Sequence, residues 1–341
     1  MSTMKITRRQ ALEAAGMLIA GSPRAPGRQL ADDPPVRLAP RDELVNVLEF
    51  EDQAKLKLSQ TAYAAIAGSD REAFDRITFR PRMVVYCMDL DLTTALLGEQ
   101  MFAPILVGPV SNQKEFHPEG ELATARGASA ARTVMVVSGR SSYPIARIVA
   151  EAKTTFWYQV YAEDNLNAVR TTMQQAIEAG CKAICITVER RMDWTVIDQI
   201  RQGVPVPVLL KGIMSPEDAT TAIQHGIQGI VVSSYGGPTK AGQPAPIEVL
   251  PKIADAVERR VPVLIDGSFR RGSDILKALA LGAQAVLLGR APMWGLAAYG
   301  ADGVQTVLEL LQTETARKMA GCGKPNIQSI DRSLVKIHAR T

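Results

Sequence analysis

Eight short apolar runs, rich in Val, Ile and Leu, recur at even spacing along most of this chain. They are PILVGPV (104–110), TVMVVSG (133–139), TTFWYQVYA (154–162), AICITVE (183–189), PVLLKGI (207–213), GIVVSS (229–234), VPVLIDG (261–267) and AVLLGR (285–290). A strand with one wet face alternates apolar and polar residues; continuous apolarity means that both faces are covered, which is the mark of parallel strands. Amphipathic stretches such as NAVRTTMQQAIEAG and GSDILKALALGA lie between the runs, each closed by the Gly that helix C-termini favour. Eight strand–helix units predict an α/β chain folded as a (β/α)8 TIM barrel. A doubly wound sheet is the alternative, and the even spacing favours closure.

In such a barrel the chemistry sits where strands end and the loops to the following helices begin. Polar residues gather at those ends: Ser138, Gln159 with Tyr161, Thr187 with Glu189, Lys211, Ser233, Asp266 and Arg290. Any one of them could simply finish a strand, but a ring of them on successive strands is what a barrel active site needs. The last two strands run into DGSFRRGSD and GRAP. Glycines there let backbone N–H groups approach an anion, and the following helix adds its dipole, so a phosphate site is expected after strands seven and eight.

Composition excludes several other functions. The net charge of +4 is spread over 341 residues with no dense Lys/Arg block past the N-terminus, which gives nucleic-acid binding little support. No apolar run approaches the ~18–20 residues that span a bilayer. Cys87, Cys181, Cys185 and Cys322 form no CxxC pair, and His117, His225 and His338 are scattered, so neither a disulfide nor a metal site is expected. Cys181 and Cys185 flank the start of a strand and are expected to turn the same way into the core. The N-terminus differs in kind. MKITRRQALEAAGMLIAGS (4–22) carries Thr7-Arg8-Arg9 ahead of a short apolar segment broken by Glu13. It reads as a twin-arginine export signal over 1–22, implying a periplasmic or exported protein; a frayed basic helix in a cytoplasmic protein is the alternative. Residues 23–40 read as a linker and 41–341 as one barrel domain with N-terminal helices.

From about residue 48 to 325 the chain resembles the FMN-dependent α-hydroxy-acid dehydrogenase/oxidase family, which includes glycolate and lactate oxidases. The most specific match is IDGSFRRGSDILKALALGAQAVLLGRAPMWGLAAYGADGV, joined by FRPRM (79–83), HPEGELATARGASAA (117–131), YQVY (158–161), ITV (186–188) and LLKGIMSPEDA (209–219). The resemblance implies FMN as cofactor and a tetramer as the assembly. It implies that Pro109, Val110 and Ser111 lie along the flavin, and that Ser138, Gln159 and Thr187 make polar contacts to its ring. It places Lys211 near flavin N1, with Ser233 at the start of the catalytic loop. Asp266 and Arg270 then serve the ribityl chain and phosphate, with backbone donors near Gly267 and with Gly289 and Arg290.

The catalytic loop departs from the family's S-N-H-G-G-R-Q-L-D. Here it reads Ser233-Ser234-Tyr235-Gly236-Gly237-Pro238-Thr239-Lys240-Ala241, so the proton-accepting histidine, the carboxylate-gripping arginine and the orienting aspartate are all replaced. A tyrosine, with an ordinary pKa of ~10, is a poor base at neutral pH unless a cation lowers it. The family's first substrate tyrosine falls on AYAAIAG (62–68), near Ala64, with Tyr63 out by one. After the fourth strand, Glu189 replaces an aspartate and TVERRMDWTVIDQIRQ leaves no room for the family's lid. Of the substrate-binding set Tyr161 survives. The changes cluster on the substrate side, and the flavin side is kept.

Two classes of function follow. One is an FMN oxidoreductase for a different small-molecule or peptide-like substrate, with Tyr235, Lys211 and Tyr161 as catalytic candidates and Arg190, Arg191 or Lys240 as replacement cations. The other is a non-catalytic flavin-binding protein or a partner of another enzyme. The sequence does not name the electron acceptor.

Overall fold

The computed structural model describes residues 38–68, 71–80, 89–162, 165–188, 193–235 and 243–339. The export-signal segment, nearly all of the linker, Cys87, Arg82 and Met83, and the loop residues Glu189, Arg190, Arg191, Pro238 and Lys240 lie outside them.

In chain order the elements are α1 (Val47–Lys57), α2 (Gln60–Ile66), α3 (Glu72–Asp75), β1 (Ile77–Phe79), β2 (Thr94–Leu96), β3 (Glu99–Met101), β4 (Ile105–Val107) and α4 (Gly120–Ala130). Then follow β5 (Val134–Ser138), α5 (Ile145–Glu151), β6 (Phe156–Tyr161), α6 (Leu166–Glu178), β7 (Ile184–Thr187), α7 (Trp194–Arg201), β8 (Val208–Ile213) and α8 (Pro216–Gln224). The chain continues with β9 (Gly229–Val232), α9 (Pro246–Val257), β10 (Val263–Ile265), α10 (Gly272–Ala280), β11 (Ala285–Leu288), α11 (Arg290–Gly321) and β12 (Val335–Ile337). Strands β4 to β11 pair in sequence order, all parallel, and β11 closes on β4. The eight apolar runs are thus the eight staves of a closed barrel.

Pleating sends alternate side chains to opposite faces, and the barrel separates them into two cores. Leu106, Val134, Val136, Trp157, Ala183, Cys185, Leu209, Val231, Leu264, Ala285 and Leu287 fill the interior. The intervening residues, among them Val107, Val137, Ile186, Leu210 and Val286, face the helices. The β2–β3 hairpin adds Leu96 and Met101 to the interior layer and so plugs the barrel floor. Short β1 pairs antiparallel with β12, tying residues before the barrel to residues after it. Ahead of α1, Ala39 is fastened by the Tyr299 hydroxyl, which donates to its carbonyl at 2.6 Å.

The two cysteines beside the fourth stave part company. Cys181 is buried in the outer core, whereas Cys185 belongs to the interior. The strand begins only at Ile184, so the two-residue alternation that would turn both the same way does not reach Cys181.

Candidate active site

Two residues beyond each inward-facing apolar residue, the pleat delivers the next inward position, and these positions form the upper ring of the barrel. From Leu106, Val136, Trp157, Cys185, Leu209, Val231, Leu264 and Leu287 the rule gives Gly108, Ser138, Gln159, Thr187, Lys211, Ser233, Asp266 and Gly289. The ring borders a cavity of about 260 Å³. Pro109, Val110, Ser111, Gln159, Tyr161, Thr187, Lys211, Tyr235, Asp266, Gly267, Arg270, Gly289 and Arg290 all line it. Ser138 and Ser233 sit just behind this lining and hold it in place.

Lys211 is the buried cation of the ring. Its Nζ lies 2.9 Å from Asp266 Oδ2 and donates to Ser233 Oγ at 3.0 Å. Burial by itself would pull the ammonium pKa down; the attraction and hydrogen bond from Asp266 outweigh it and hold the pKa above its ordinary value. Opposite runs a chain of neutral groups. Ser138 Oγ donates to Gln159 Oε1 at 3.1 Å and pairs with Ser111 Oγ at 3.0 Å; Ser111 Oγ reaches Tyr161 Oη at 3.2 Å.

Three ring atoms are buried without a protein partner: Thr187 Oγ1, Asp266 Oδ1 and Arg270 Nη2. Buried polar atoms in native proteins are hydrogen-bonded with few exceptions, and all three border the same cavity. At its far end, burial and the neighbouring Arg290 push the Arg270 guanidinium pKa down to about 9, and burial lowers that of Arg290. A buried guanidinium beside a half-buried one calls for an anion. The loop bearing Arg270 is fixed by Asp274, whose Oδ2 accepts from the N–H groups of Arg270 and Arg271 at 3.0 Å and whose carboxylate meets Arg71 at 2.7 Å. Arg270 also stacks over Trp294 at 4.3 Å, and Trp294 donates to the Ile66 carbonyl at 2.8 Å. Gly289 precedes the first turn of α11, and a Cβ built on it would make ordinary van der Waals contact with Val110, 3.8 Å away. Unpaired donors, a helix N-terminus and a glycine-lined wall together form a cradle for a phosphorylated ligand.

One layer further out, the same two-residue rule reaches Arg140, Tyr161 and Tyr235. The Tyr161 and Tyr235 rings meet edge to face with centroids 6.2 Å apart, and the Arg140 guanidinium lies 3.7 Å from the centre of the Tyr161 ring. Tyr235 holds φ at 66°, a left-handed conformation that is a real outlier for a bulky side chain; its N–H donates to Ser233 Oγ at 3.1 Å. No histidine reaches the cavity. His225 pairs with Asp198, His338 with Thr78, and His117 lies against Gly300.

On the substrate side, Tyr63 of α2 does not border the cavity. The Tyr63 hydroxyl turns away to Glu51 Oε1 at 3.1 Å, and it is Ala65 and Ile66 that border the cavity. The register of α2 decides this, because Tyr63 sits on its flank against α1. Between β7 and α7 only residues 188–193 intervene, too few for a lid. Arg140 and Gly108 escaped the sequence reading, although extending the pleat by one step from Ser138 and Leu106 would have found both. Asp274 was hidden inside a helix start. Among the described residues no group of three or more His, Cys, Asp or Glu could hold a metal ion, and no helix is long and apolar enough to cross a membrane.

A closed parallel barrel with a mononucleotide cradle after its last two strands and a polar ring above its core defines a class, the flavin-binding (β/α)8 oxidoreductases. Within it, this chain belongs to the FMN-dependent dehydrogenase family, whose sequence profile matches residues 59–192 and 188–337. It is 36% identical over 352 residues to a peroxisomal (S)-2-hydroxyacid oxidase of Arabidopsis thaliana, covering 86% of this chain and 97% of the relative. To an L-lactate oxidase of a Nostoc strain it is 35% identical, covering 86% and 98%. A solved structure of mandelate oxidase superposes with a TM-score of 0.82 at 32% identity, covering 87% of this chain and all of the other. The cofactor is FMN, and the orphaned polar atoms of the cavity fit such a group: Arg270, Arg290 and the Gly289 turn would hold the phosphate, Asp266 the ribityl hydroxyls, and Thr187 and Gln159 the ring.

Proposed function

We propose that this FMN-dependent oxidoreductase acts on a small molecule other than the short 2-hydroxy acids, with Tyr235 in the substrate layer as a proton donor or polar anchor. The observation that carries this reading is the outer layer of the cavity, where two tyrosines face each other and no imidazole is present. Bound FMN supplies the two-electron acceptor of the reaction. The protein's own groups then divide the remaining tasks. Lys211 keeps a fixed positive charge at the cavity wall, where it favours whatever negative charge develops beside it. Ser138 and Ser111 hold the Tyr161 hydroxyl, and Ser233 holds the Tyr235 backbone. The short crossing to α7 supports an open mouth and a substrate larger than lactate.

Stopped-flow mixing of the holoprotein with glycolate, lactate and mandelate tests the reading. No rapid bleaching of the flavin is expected with any of them, because a positioned base usually contributes ~10²–10⁴-fold and the carboxylate clamp at residue 238 is a proline. Tyr235→His should restore little alone and more when combined with Pro238→Arg, since a held substrate and a base act on one transition state. Rapid reduction of the unmodified protein by any of the three overturns the proposal.

A further inference from the structure

We propose that Tyr161, on the third stave, is the proton acceptor of this site, and that Arg140 is the positioning residue that makes it one. The inference rests on the reading above, that the loop no longer carries a base, and it locates the replacement.

The geometry gathers around one oxygen. Tyr161 Oη is met by Ser111 Oγ at 3.2 Å, Ser111 is braced in turn by Ser138 Oγ at 3.0 Å, and the Tyr235 ring packs edge to face against the Tyr161 ring at 6.2 Å. Ser138 gives its one proton to Gln159, which leaves the Ser111 hydroxyl able to donate to the phenol oxygen, and such a donor favours the ionised form. The Arg140 guanidinium lies 3.7 Å from the ring centre, and arginine does not give up its proton in proteins. Among the described residues, the groups facing Tyr161 can be named element by element. The loop after β4 brings Ser111, which does not titrate; β5 and its loop bring Ser138 and Arg140; β8 brings Lys211, already joined to Asp266 from the loop after β10; the loop after β9 brings Tyr235. The one carboxylate in this set is held by Lys211. Burial would raise the phenol's pKa, but hydrogen bonding at its oxygen and the Arg140 charge overcome it and set it below its ordinary value. The sign follows: Tyr161 can accept a proton once the pH exceeds that lowered value, and the fraction able to do so grows as pH rises.

Tyr235 is the less suitable acceptor. It is 37% exposed, and the cation over its ring, Lys211 at 5.5 Å, is already paired with Asp266. In the step itself the substrate O–H or N–H bond breaks, its electron pair stays on the heteroatom, and the proton moves to Tyr161 Oη. From there Tyr235, half in solvent, offers a hydrogen-bonded route to water.

The test needs no substrate. Holoprotein labelled with 13C at tyrosine Cζ is titrated by NMR; with seven tyrosines in the chain, each resonance can be assigned by a Phe substitution. One resonance should shift to the tyrosinate position below the ~10 of free tyrosine and be absent from Tyr161→Phe. Arg140→Met should raise its midpoint by about one unit, a tenfold change in proton affinity, with Arg140→Lys restoring much of it. Flavin absorbance confirms that each variant still folds around FMN. The proposal is overturned if no tyrosine titrates early, if the early resonance vanishes in Tyr235→Phe and persists in Tyr161→Phe, or if Arg140→Met leaves the midpoint in place. Reduction by a 2-hydroxy acid, read separately, would instead defeat the functional reading while leaving this titration intact.

Discussion

Lys211 carries its charge in a closed arrangement, with Asp266 on one side and Ser233 on the other, so its influence on a bound ring is that of a partly compensated cation. Lys211→Met should lower the midpoint potential of bound FMN, because a cation stabilises the reduced, more negative ring more than the oxidised one. Asp266→Asn should raise it by removing the compensating charge. Each 1.4 kcal/mol corresponds to roughly 30 mV in a two-electron couple, and a change of a few tens of mV is expected in spectroelectrochemical titration. Equal potentials in both variants would mean that the pair does not act on the ring. At this scale much of the site was readable beforehand: six of the eight staves reach the ring in a polar residue and two in glycine, because the apolar pattern stops where the cavity begins. Arg140 needed the pleat carried one step past the strand end. It lies past the strand in a loop, where an arginine has solvent as its ordinary partner, and only closure of the barrel brings it over Tyr161.

Among the elements, α11 most directly supports the phosphate end of the site. It is two helices joined at Tyr299 and Gly300, where φ of −138° and +62° break the helical path. The break folds the second half back on the first so closely that a Cβ on Gly303 would collide with the Gly295 carbonyl oxygen. Gly303→Ala should therefore destabilise the protein by about 1–3 kcal/mol, the usual cost of overpacking. Gly321→Ala, at the end of the same element with nothing within 4 Å of its Cβ, should be neutral or slightly stabilising. Urea unfolding midpoints of the two variants separate these outcomes, and equal midpoints would show that the hairpin of helices can relax. The eight staves were legible because each is apolar on both faces. The β2–β3 hairpin was not, because its strands are three residues long and show the interior only Leu96 and Met101. The break in α11 was equally hidden: Gly300 inside AAYGADG also suits a helix that simply ends.

For the molecule as a whole, FMN is a component of stability. A ligand at about 100 times its Kd stabilises the folded state by ~2.7 kcal/mol, so the melting temperature of the apoprotein should climb as FMN is added. Arg290→Ala should remove ~1.5–3 kcal/mol of that binding. Without FMN the same substitution should cost little or even stabilise, because it relieves the crowding of Arg270 by a second guanidinium. Calorimetry with and without FMN checks both signs, and an unshifted wild-type melt would contradict the cradle. The pairing of β1 with β12 and the closure of β11 on β4 have a further meaning in time. A ribosome delivers the chain from one end, so the first stave waits for the last one and the ribbon outside the barrel waits longer still. Until then the growing polypeptide is an open sheet with two bare margins, exposed to chaperones or to misassembly. Folding of this enzyme is thus timed by the arrival of β11 and β12.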